Sequence, residues 1–332
     1  MKLSLIICTY MRPDALCVLL DSIVMQVKVP NEIIIVDGSL DAKTTQRLEE
    51  KKYSLPIRYF MVDKDNRGLT KQRNYGVARV NEEMEIVAFL DDDIRLSKNY
   101  FNALLMPYMD ENVIGVGGCT TNEATWYKMT DTKCSIKEFC YDGYKRSESL
   151  RFVIRKLLKL APTTQPGLIS SYSHERATGS LPPSGKCYEV DFMMGGIASF
   201  RKSLFEKIGF SHYFEGYGLY EDKDFTLRAG KHGKMIVNTQ AQLEHLHDPA
   251  GRPNKFYYGK MVVRNGWYVW QVAVGKPSIE GRLKWNLNVG LLIAIRIYNI
   301  ISGPSRMEAL TESAGRLYGW MSLLWDRPRI EQ

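Results

Sequence analysis

The stretch IVAFLDDDIRL, residues 86–96, places three consecutive aspartates directly after five apolar residues. A short, continuous apolar run of this kind predicts a strand that is buried on both faces. Asp91, Asp92 and Asp93 would then stand at the carboxyl end of that strand. The sequence therefore raises the question of what three carboxylates bind at the end of a buried strand.

The segments around this stretch alternate between strand and helix patterns. The predicted strands are Leu3–Thr9, Glu32–Asp37, Ile57–Val62 and Ile86–Leu90, and the predicted helices are Asp14–Val24, Lys43–Lys52 and Thr70–Val80. Strand–helix alternation with continuous apolar strands predicts an α/β fold whose mostly parallel central sheet is flanked by helices. Further along, the pattern predicts regular structure at Val190–Phe200, helices at Lys202–Ile208 and Tyr220–His232, and a strand at Lys234–Asn238.

The length of 332 residues suggests one catalytic core followed by an extension. We expect the core to cover 1–265, in two halves at 1–118 and 119–265. Residues 266–332 are expected to form a helical extension, because the chain there is aromatic and helical without further strands. Between Cys119 and Lys186 the periodicity weakens, apart from a basic amphipathic helix predicted at Leu150–Leu160.

The charge balance indicates an anionic partner. The chain carries 45 Lys and Arg against 37 Asp and Glu, a formal net charge of +8. We set nucleic acid aside, because nothing resembles a recognition helix or an aromatic RNA platform.

The six cysteines have no CxxC spacing, so a reduced, cytoplasmic protein is expected. The apolar segment Leu287–Ile301 is too short to span a bilayer and contains Arg296.

In open α/β sheets, ligands bind outside the carboxyl ends of the strands. That rule gathers polar residues from three predicted strand ends into one crevice; they are Thr9, Tyr10, Arg12, Asp37 and Asp91 to Asp93. Carboxylates there suit a divalent cation such as Mg²⁺ or Mn²⁺ shared with the phosphates of a nucleotide. The alternative, solvated loop or helix-cap residues, stays open on the acidic triplet alone.

Seven ordered blocks of the sequence resemble the family 2 glycosyltransferases, which have the GT-A fold and use nucleotide-sugar donors. The blocks are IICTYMRP (6–13), IIIVDGS (33–39), NRGLTKQRNYGV (66–77), FLDDD (89–93), MMGGIASFRKSLFEKIGF (193–210), GLYEDKDFTLRAGKHG (218–233) and HLHDPAG (245–251). Each block alone is a weak signal. Their order and spacing together make the resemblance specific over Leu3–Gly251. It implies a nucleotide-sugar half at 1–118 and an acceptor half at 119–265.

The resemblance implies which residues bind the donor. It places Thr9, Tyr10 and Arg12 along the nucleotide and Asp37 at the base. Gly68, Arg73 and Asn74 match the segment of the family beneath the base and diphosphate, where a cation offsets phosphate charge. Gly195 and Gly196 would let the backbone approach the donor sugar. The structural alternatives are a surface helix start for Arg12, a helix cap or turn for Asp37, a solvated helix face for Arg73 and a plain turn for Gly195 and Gly196.

The resemblance also implies a metal site. It places Asp91 beside the ribose and Asp93 on the metal, with Asp92 assisting between them. His245 matches a further ligand of the family, and His247 is the reserve candidate. A histidine ligand favours Mn²⁺ over Mg²⁺, and its second ring nitrogen needs an orienting partner.

The resemblance implies transfer of a sugar to a hydroxyl of an acceptor molecule. This reaction requires a general base that removes the proton of that hydroxyl. In the segment GLYEDKD, 218–224, the Glu-Asp pair matches the base motif of the family, and we assign the base to Asp222 with Glu221 as runner-up. An acidic first turn that favours the helix dipole is the structural alternative. With a single base to remove its proton, the acceptor hydroxyl attacks opposite the leaving group, which implies inversion at the anomeric carbon.

The expected partners are a nucleotide-sugar donor, with UDP as the usual nucleotide of the family, and a glycan or lipid-linked acceptor. Basic and aromatic segments near the C-terminus suggest peripheral contact with the inner face of the plasma membrane. Packing on the core or on a second copy in a homo-oligomer is an equal alternative. Two other functions stay open: a nucleotidyltransferase, although CTYMRPDA lacks its glycines, and an inactive sugar-binding scaffold, although the acids are present.

Overall fold

The computed structural model describes residues 1–214, 216–247 and 253–330. The chain divides into two compact units, each built from two segments. Unit 1 consists of Met1–Thr125 and Ala177–Gly251, and unit 2 consists of Trp126–Arg176 and Arg252–Gln332. The divisions expected at 118 and 265 remain predictions. Residues 248–251 of the HLHDPAG block lie outside the described residues.

The chain begins with alternating strands and helices. These elements are β1 (Leu3–Thr9), α1 (Pro13–Val24), β2 (Glu32–Asp37), α2 (Lys43–Lys51), β3 (Ile57–Met61), α3 (Leu69–Val77) and β4 (Ile86–Asp91). The strands lie in the order β4, β1, β2, β3, and each of the three pairings is parallel. The mostly parallel sheet predicted from the alternation is therefore confirmed, and the predicted ends differ by at most three residues.

The remaining elements follow in chain order. They are β5 (Ile94–Leu96), α4 (Tyr100–Leu105), β6 (Val113–Thr120), β7 (Tyr127–Lys128), β8 (Glu138–Tyr141), β9 (Tyr144–Ser147), α5 (Leu150–Leu157), β10 (Cys187–Glu189), β11 (Ile197–Arg201), α6 (Glu221–Ala229), β12 (Lys234–His245), α7 (Lys255–Val274), α8 (Ile279–Ser302) and α9 (Arg306–Ser322).

Five later strands of unit 1 complete a nine-stranded sheet within the described residues; they are β5, β6, β10, β11 and β12. Its order is β10-β12-β6-β11-β4-β1-β2-β3, and β5 pairs with β12. Strand β11 is antiparallel to both β4 and β6, so the sheet is mixed at this side. Because β12 gains partners in both β6 and β5, it continues to His245 rather than ending at Asn238 as predicted. Periodicity could not show this, because strand partners are distant in sequence.

Two other predictions for this region are wrong in detail. The segment Val190–Phe200 becomes a strand only at Ile197, and the predicted helix Lys202–Ile208 is a short 3-10 helix over Lys202–Glu206. The predicted helix Tyr220–His232 is α6 followed by a 3-10 turn, Gly230–His232.

Helices and aromatic side chains cover the two faces of the sheet in unit 1. On one face, apolar residues of β1, β2 and β4 pack with those of α1 and α4. On the other face, five rings form a contact network: Phe89, Phe200, Phe205, Phe210 and Phe225. Since Phe225 belongs to α6, this network anchors the helix that carries the Glu-Asp pair.

Unit 2 contains a three-stranded antiparallel sheet in the order β7-β9-β8. Cys134 and Cys140 form a disulfide there. The expectation that every cysteine is reduced is therefore wrong for this pair, because a spacing of six residues in sequence does not reveal that the chain turns back before β8. Cys8, Cys17, Cys119 and Cys187 are free thiols.

The helices of unit 2 among the described residues are α5, α7, α8 and α9. Glycines allow α7 and α9 to touch through their backbones, since a Cβ atom at Gly315 would overlap the carbonyl of Phe256 and one at Gly259 would overlap that of Glu312. The opposite side of α9 and the turn that follows it expose an apolar stripe whose members are three, four or seven residues apart: Met307, Leu310, Leu317, Met321 and Leu324. Among the described residues, no helix combines the length and the apolar character needed to cross a bilayer.

Candidate active site

Parallel pairing brings the ends of three strands together at one edge of the sheet. The β1–β4 register pairs Cys8 with Asp91, and the β1–β2 register pairs Thr9 with Asp37. Tyr10 follows Thr9 and is exposed. The polar residues that follow the strands therefore lie at one sheet edge, as the rule for parallel sheets predicts.

The side chain of Asp37 contacts its own strand end. It is fully buried, and its carboxylate accepts hydrogen bonds from the N–H of Ser39 and the hydroxyl of Tyr59, each at 2.7 Å. The bond to Ser39 is the turn interaction that the structural alternative described. A contact between Asp37 and a nucleotide base stays a prediction.

The middle aspartate of the triplet is tied to β1 and to the start of α1. Asp92 accepts a hydrogen bond from Thr9 Oγ1 at 2.6 Å and one from Arg12 at 3.1 Å, and Arg12 also lies 3.6 Å from Asp93. Burial raises the pKa of Asp92 to about 7, while the bond from Thr9 and the charge of Arg12 oppose this rise. Arg12 is thus a cation held directly beside the acidic triplet.

Asp91, Asp93 and His245 form a cluster of candidate metal ligands. One ligand atom from each lies within 4.8 Å of the other two. The antiparallel pairing of β5 with β12 places His245 opposite Ile94, and His245 Nε2 is 3.2 Å from Asp93 Oδ1. Neighbouring ligands of an octahedral ion with bonds of about 2.1 Å are separated by about 3 Å. Two carboxylates and one imidazole therefore fit a divalent ion, and the donor set suits Mn²⁺.

The electrostatics of His245 agree with that fit. Its contacts with Asp93 and Glu123 raise the pKa of His245 to about 10, although burial acts in the opposite direction. The carboxylates that stabilise the protonated imidazole would also stabilise a bound cation.

Glu123 is a residue of this cluster that the sequence did not reveal. Its Oε1 atom lies 3.4 Å from Nδ1 of His245, the ring nitrogen opposite to the one that faces Asp93. Glu123 thus supplies the orienting partner that a histidine ligand requires. Glu123 Oε1 also lies 3.1 Å from Nε2 of His247, so both histidines contact the same carboxylate.

Glu123 follows β6, so the strand-end rule applied to that strand would have pointed to it. Its neighbour Asn122 holds the end of β12, because its amide donates to the carbonyl of His245 and accepts from the N–H of the same residue. The weak periodicity after Cys119 concealed this signal.

Two adjacent glycines lie between the cluster of candidate metal ligands and the Glu-Asp pair, and they contact both. The N–H of Gly195 donates to Asp222 at 3.1 Å, and the carbonyl of Gly196 accepts the N–H of Asp91 at 3.0 Å. A Cβ atom at Gly196 would overlap the carboxylate of Asp91, and one at Gly195 would lie 2.7 Å from both Arg73 and Asp222. Only glycine fits both positions without displacing a carboxylate.

Beneath these glycines lies a buried ion pair between Arg73 and Glu221. Arg73 is also 3.6 Å from Asp91, and its guanidinium lies over the rings of Phe89 and Phe210. Burial raises the pKa of Glu221 well above its usual range, while the charge of Arg73 opposes the rise. Arg73 is 2% exposed, so in this structure its charge is directed to carboxylates of the protein.

Gly68 and Asn74 have structural partners. Gly68 immediately precedes α3 with a φ of 120°, which favours glycine, and the N–H of Leu69 donates to the carbonyl of Gly216. The amide of Asn74 pairs with both the carbonyl and the N–H of Phe210. Their predicted role beneath the base and diphosphate stays a prediction.

The fold and the acidic site together define a class, the GT-A glycosyltransferases. The Glycosyl transferase family 2 profile matches residues 4–209, more than half of the chain. The chain therefore belongs to glycosyl transferase family 2. No curated protein matches the sequence.

Solved structures agree with this fold at low sequence identity. A mannosyltransferase from Pyrobaculum calidifontis in complex with GDP-Man and Mn²⁺ superimposes with a TM-score of 0.53 and 14% identity, covering 98% of this chain and 88% of that one. GalNAc-T7 with UDP, GalNAc and Mn²⁺ gives a TM-score of 0.51 and 14% identity over 91% of this chain. The present chain spans 58% of the length of that GalNAc-T7 chain.

Proposed function

We propose that the chain is an inverting glycosyltransferase that moves a sugar from a nucleoside diphosphate to a hydroxyl of a glycan or lipid-linked acceptor. One observation carries the proposal: Gly195 contacts Asp222 while Gly196 contacts Asp91. The candidate base and the first carboxylate of the metal cluster therefore lie on either side of one dipeptide. A donor at the cluster and an acceptor hydroxyl at Asp222 would be neighbours.

In this proposal Asp222 is the general base. Its carboxylate accepts the proton of the acceptor hydroxyl as the hydroxyl oxygen bonds to the anomeric carbon. The bond from that carbon to the diphosphate oxygen breaks, and its electron pair leaves with the diphosphate. Attack opposite the leaving group inverts the anomeric configuration and needs no covalent enzyme intermediate.

Glu221 remains the alternative base, but its surroundings favour Asp222. The Glu221 carboxylate is enclosed and paired with Arg73. Among the described residues, the donors to the Asp222 carboxylate are two backbone N–H groups, those of Gly195 and Lys223. A carboxylate oriented by backbone donors keeps lone pairs for an acceptor proton.

The proposed cofactor is Mn²⁺ or Mg²⁺, held by Asp91, Asp93 and His245. When bound, the ion would offset the charge that develops on the leaving diphosphate. Arg12 and Thr9 position Asp92 and Asp93, and Glu123 orients His245. Both similar solved structures are complexes with Mn²⁺, which supports this choice.

The donor nucleotide is proposed to be UDP, the usual nucleotide of the family. One similar structure contains UDP and the other contains GDP-Man, so a thermal-shift screen should compare both. Ligands that bind the native state raise its melting temperature. A UDP-sugar should raise Tm only when Mn²⁺ is present; a shift with GDP-sugars alone would contradict the choice of UDP.

The decisive test of the function is the Asp222→Asn variant. It should keep the Mn²⁺-dependent shift with the donor but lose transfer by about 10²–10⁴-fold, the usual contribution of a general base. Transfer is measured as release of nucleoside diphosphate with a panel of hydroxyl acceptors. Asp65→Asn, at an exposed aspartate, serves as the control and should retain activity. Full turnover by Asp222→Asn would show that Asp222 is not the general base.

Two alternatives are less well supported. Nucleotidyl transfer is disfavoured because the chain belongs to a glycosyltransferase family. An inactive scaffold would not need Asp91, Asp93 and Asp222 to be held in place, yet each has a described partner.

Peripheral membrane contact is part of the proposal for unit 2. The apolar stripe of α9 is exposed, and two exposed cations flank it: Arg306 is the first residue of the helix, and Arg327 follows its last residue by five positions. Apolar residues beside cations are typical of helices that lie on anionic membranes. Such contact would bring the chain to a lipid-linked acceptor.

A further inference from the structure

A second group of ligands shares His245 with the candidate metal cluster. Glu123, His245 and His247 each offer one atom within 4.8 Å of the other two. His245 and His247 are separated by one residue, and their ring centroids are 4.1 Å apart. All three side chains reach solvent, with exposed fractions of 36%, 29% and 53%. An ion could therefore reach the group without rearrangement of the sheet.

The separations within this group match a tetrahedral ion. Zinc lies about 2.0–2.1 Å from histidine nitrogen and carboxylate oxygen, so two ligands of a tetrahedral site are about 3.3 Å apart. Glu123 Oε1 is 3.4 Å from His245 Nδ1 and 3.1 Å from His247 Nε2. Two imidazoles and one carboxylate are also a ligand set that zinc enzymes use, with the fourth position open.

We propose that Glu123, His245 and His247 bind Zn²⁺, and that this ion prevents a divalent ion from binding at Asp91 and Asp93. The two sites use opposite nitrogens of one ring, since Nδ1 of His245 faces Glu123 and Nε2 faces Asp93. The exclusion rests on the proposed function, because it assumes that Asp91, Asp93 and His245 hold the donor metal. The zinc site itself does not depend on that assumption.

The exclusion follows from the number of lone pairs on a neutral imidazole. One ring nitrogen carries the proton and the other carries the single lone pair available to a metal. Zinc on Nδ1 of His245 places the proton on Nε2, so that Nε2 donates to Asp93 instead of binding an ion. The same zinc removes Glu123 from its role as orienting partner.

The two sites would take different ions because their donors differ. Two imidazoles favour zinc over manganese or magnesium, whereas the carboxylates of Asp91 and Asp93 suit the harder ions. Zinc at low concentration would therefore act as an inhibitor of a Mn²⁺-dependent reaction.

The first experiment measures zinc affinity of the full chain by competition with a chromophoric chelator, with Zn²⁺ as the only added ligand. The wild type should bind one zinc per chain. Both His247→Gln and Glu123→Gln should weaken binding at least tenfold. His232→Gln, at an exposed histidine elsewhere in the chain, is the matched control and should bind like the wild type. Equal affinity in all four proteins would overturn the site.

The Asp91→Asn variant shows which of the two ligand clusters binds zinc. Because Asp91 is not a member of the proposed zinc site, its replacement should leave zinc affinity within a factor of two. If Asp91→Asn weakens zinc binding as much as His247→Gln does, zinc occupies the other cluster and the proposal fails.

The second experiment tests the exclusion without donor or acceptor. Electron paramagnetic resonance measures free Mn²⁺, and subtracting it from the total gives the bound Mn²⁺. Zinc is then added to the same sample. One equivalent of zinc should release Mn²⁺ from the wild type and release at least tenfold less from His247→Gln. Retained Mn²⁺, or equal release from both proteins, would overturn the exclusion. Failure of the chain to bind any Mn²⁺ would overturn both the exclusion and the metal assignment of the proposed function, while the chelator result would still decide the zinc site.

Discussion

Arg73 and Glu221, 148 residues apart in the sequence, form a buried ion pair beneath the candidate active site. Arg73 lies on α3 and Glu221 is the first residue of α6. Because Arg73 also approaches Asp91, one side chain links the base motif to the first aspartate of the triplet. The structure thus gives Arg73 a role in holding carboxylates, alongside the predicted role beneath the diphosphate.

Arg73→Met should strongly destabilise unit 1. The change leaves Glu221 as a buried charge without its cation, and breaking a buried pair in this way typically costs about 3–5 kcal/mol. Urea denaturation should show this loss, and the double variant Arg73→Met with Glu221→Gln should recover most of it. Arg47→Met breaks an exposed pair with Glu50 and should change stability little. A double variant as unstable as Arg73→Met would show that the pair is not the cause.

Gly196→Ala should impair donor binding more than stability. The added methyl group would overlap the Asp91 carboxylate, so that side chain must turn away from the metal cluster. Affinity for UDP with Mn²⁺, measured by calorimetry, should fall at least tenfold. Gly179→Ala is the control, because the nearest atom to a Cβ there is 3.9 Å away. Unchanged affinity in Gly196→Ala would mean that Asp91 does not need its present position.

Asp93→Ala should abolish the dependence of UDP binding on Mn²⁺. Asp93 is the central member of the cluster, 3.2 Å from His245, and its loss leaves one carboxylate and one imidazole. Calorimetry should show that Mn²⁺ no longer strengthens UDP binding, while Asp63→Ala, at an exposed turn, behaves like the wild type. If Mn²⁺ still strengthens UDP binding in Asp93→Ala, the metal assignment is wrong.

The sequence predicted those parts of the site that depend on local pattern. Apolar runs revealed β1, β2 and β4, and the rule for strand ends then brought Thr9 and Asp91 to Asp93 to one edge. Each of these inferences needs only the residues within one element and its immediate end. The parallel pairing of the strands follows from the helices between them.

Other parts depend on contacts that no local pattern records. The partner of Arg73 is far along the chain, and the extension of β12 to His245 depends on pairing with β5 and β6. Glu123 lies in a segment whose periodicity is weak, although its position after β6 was a usable signal. The disulfide between Cys134 and Cys140 was missed because their spacing fits no motif.

Lys223→Met should remove a pH dependence of stability. Burial lowers the pKa of Lys223 from 10.5 to about 7, and its Nζ atom lies 4.8 Å from the ring centroid of Phe192. Between those two pH values the unfolded chain binds a proton that the folded chain does not, so the free energy of unfolding rises with pH. One pKa unit corresponds to about 1.4 kcal/mol, so the rise is on the order of 1 kcal/mol per pH unit.

Urea denaturation at several pH values across this window provides the measurement. Lys223→Met should lack most of the rise that the wild type shows, whereas Lys231→Met, at an exposed lysine, should retain it. Parallel curves for the wild type and Lys223→Met would show that the folded chain keeps Lys223 protonated.

The last prediction concerns the apolar stripe of α9. Replacing Leu310 and Leu317 by glutamate should reduce flotation with vesicles made of equal parts phosphatidylglycerol and phosphatidylcholine. Burying one leucine contributes about 1.5–3 kcal/mol, so losing two should weaken vesicle binding at least tenfold. Both leucines are exposed, so folding should be unaffected. The matched control, Met109→Glu, changes an apolar residue that is 80% exposed in unit 1 and should float like the wild type. If the wild type does not float but sediments as a dimer that the double variant dissociates, the stripe binds a second copy, because apolar residues three and four apart along a helix also pair with another helix.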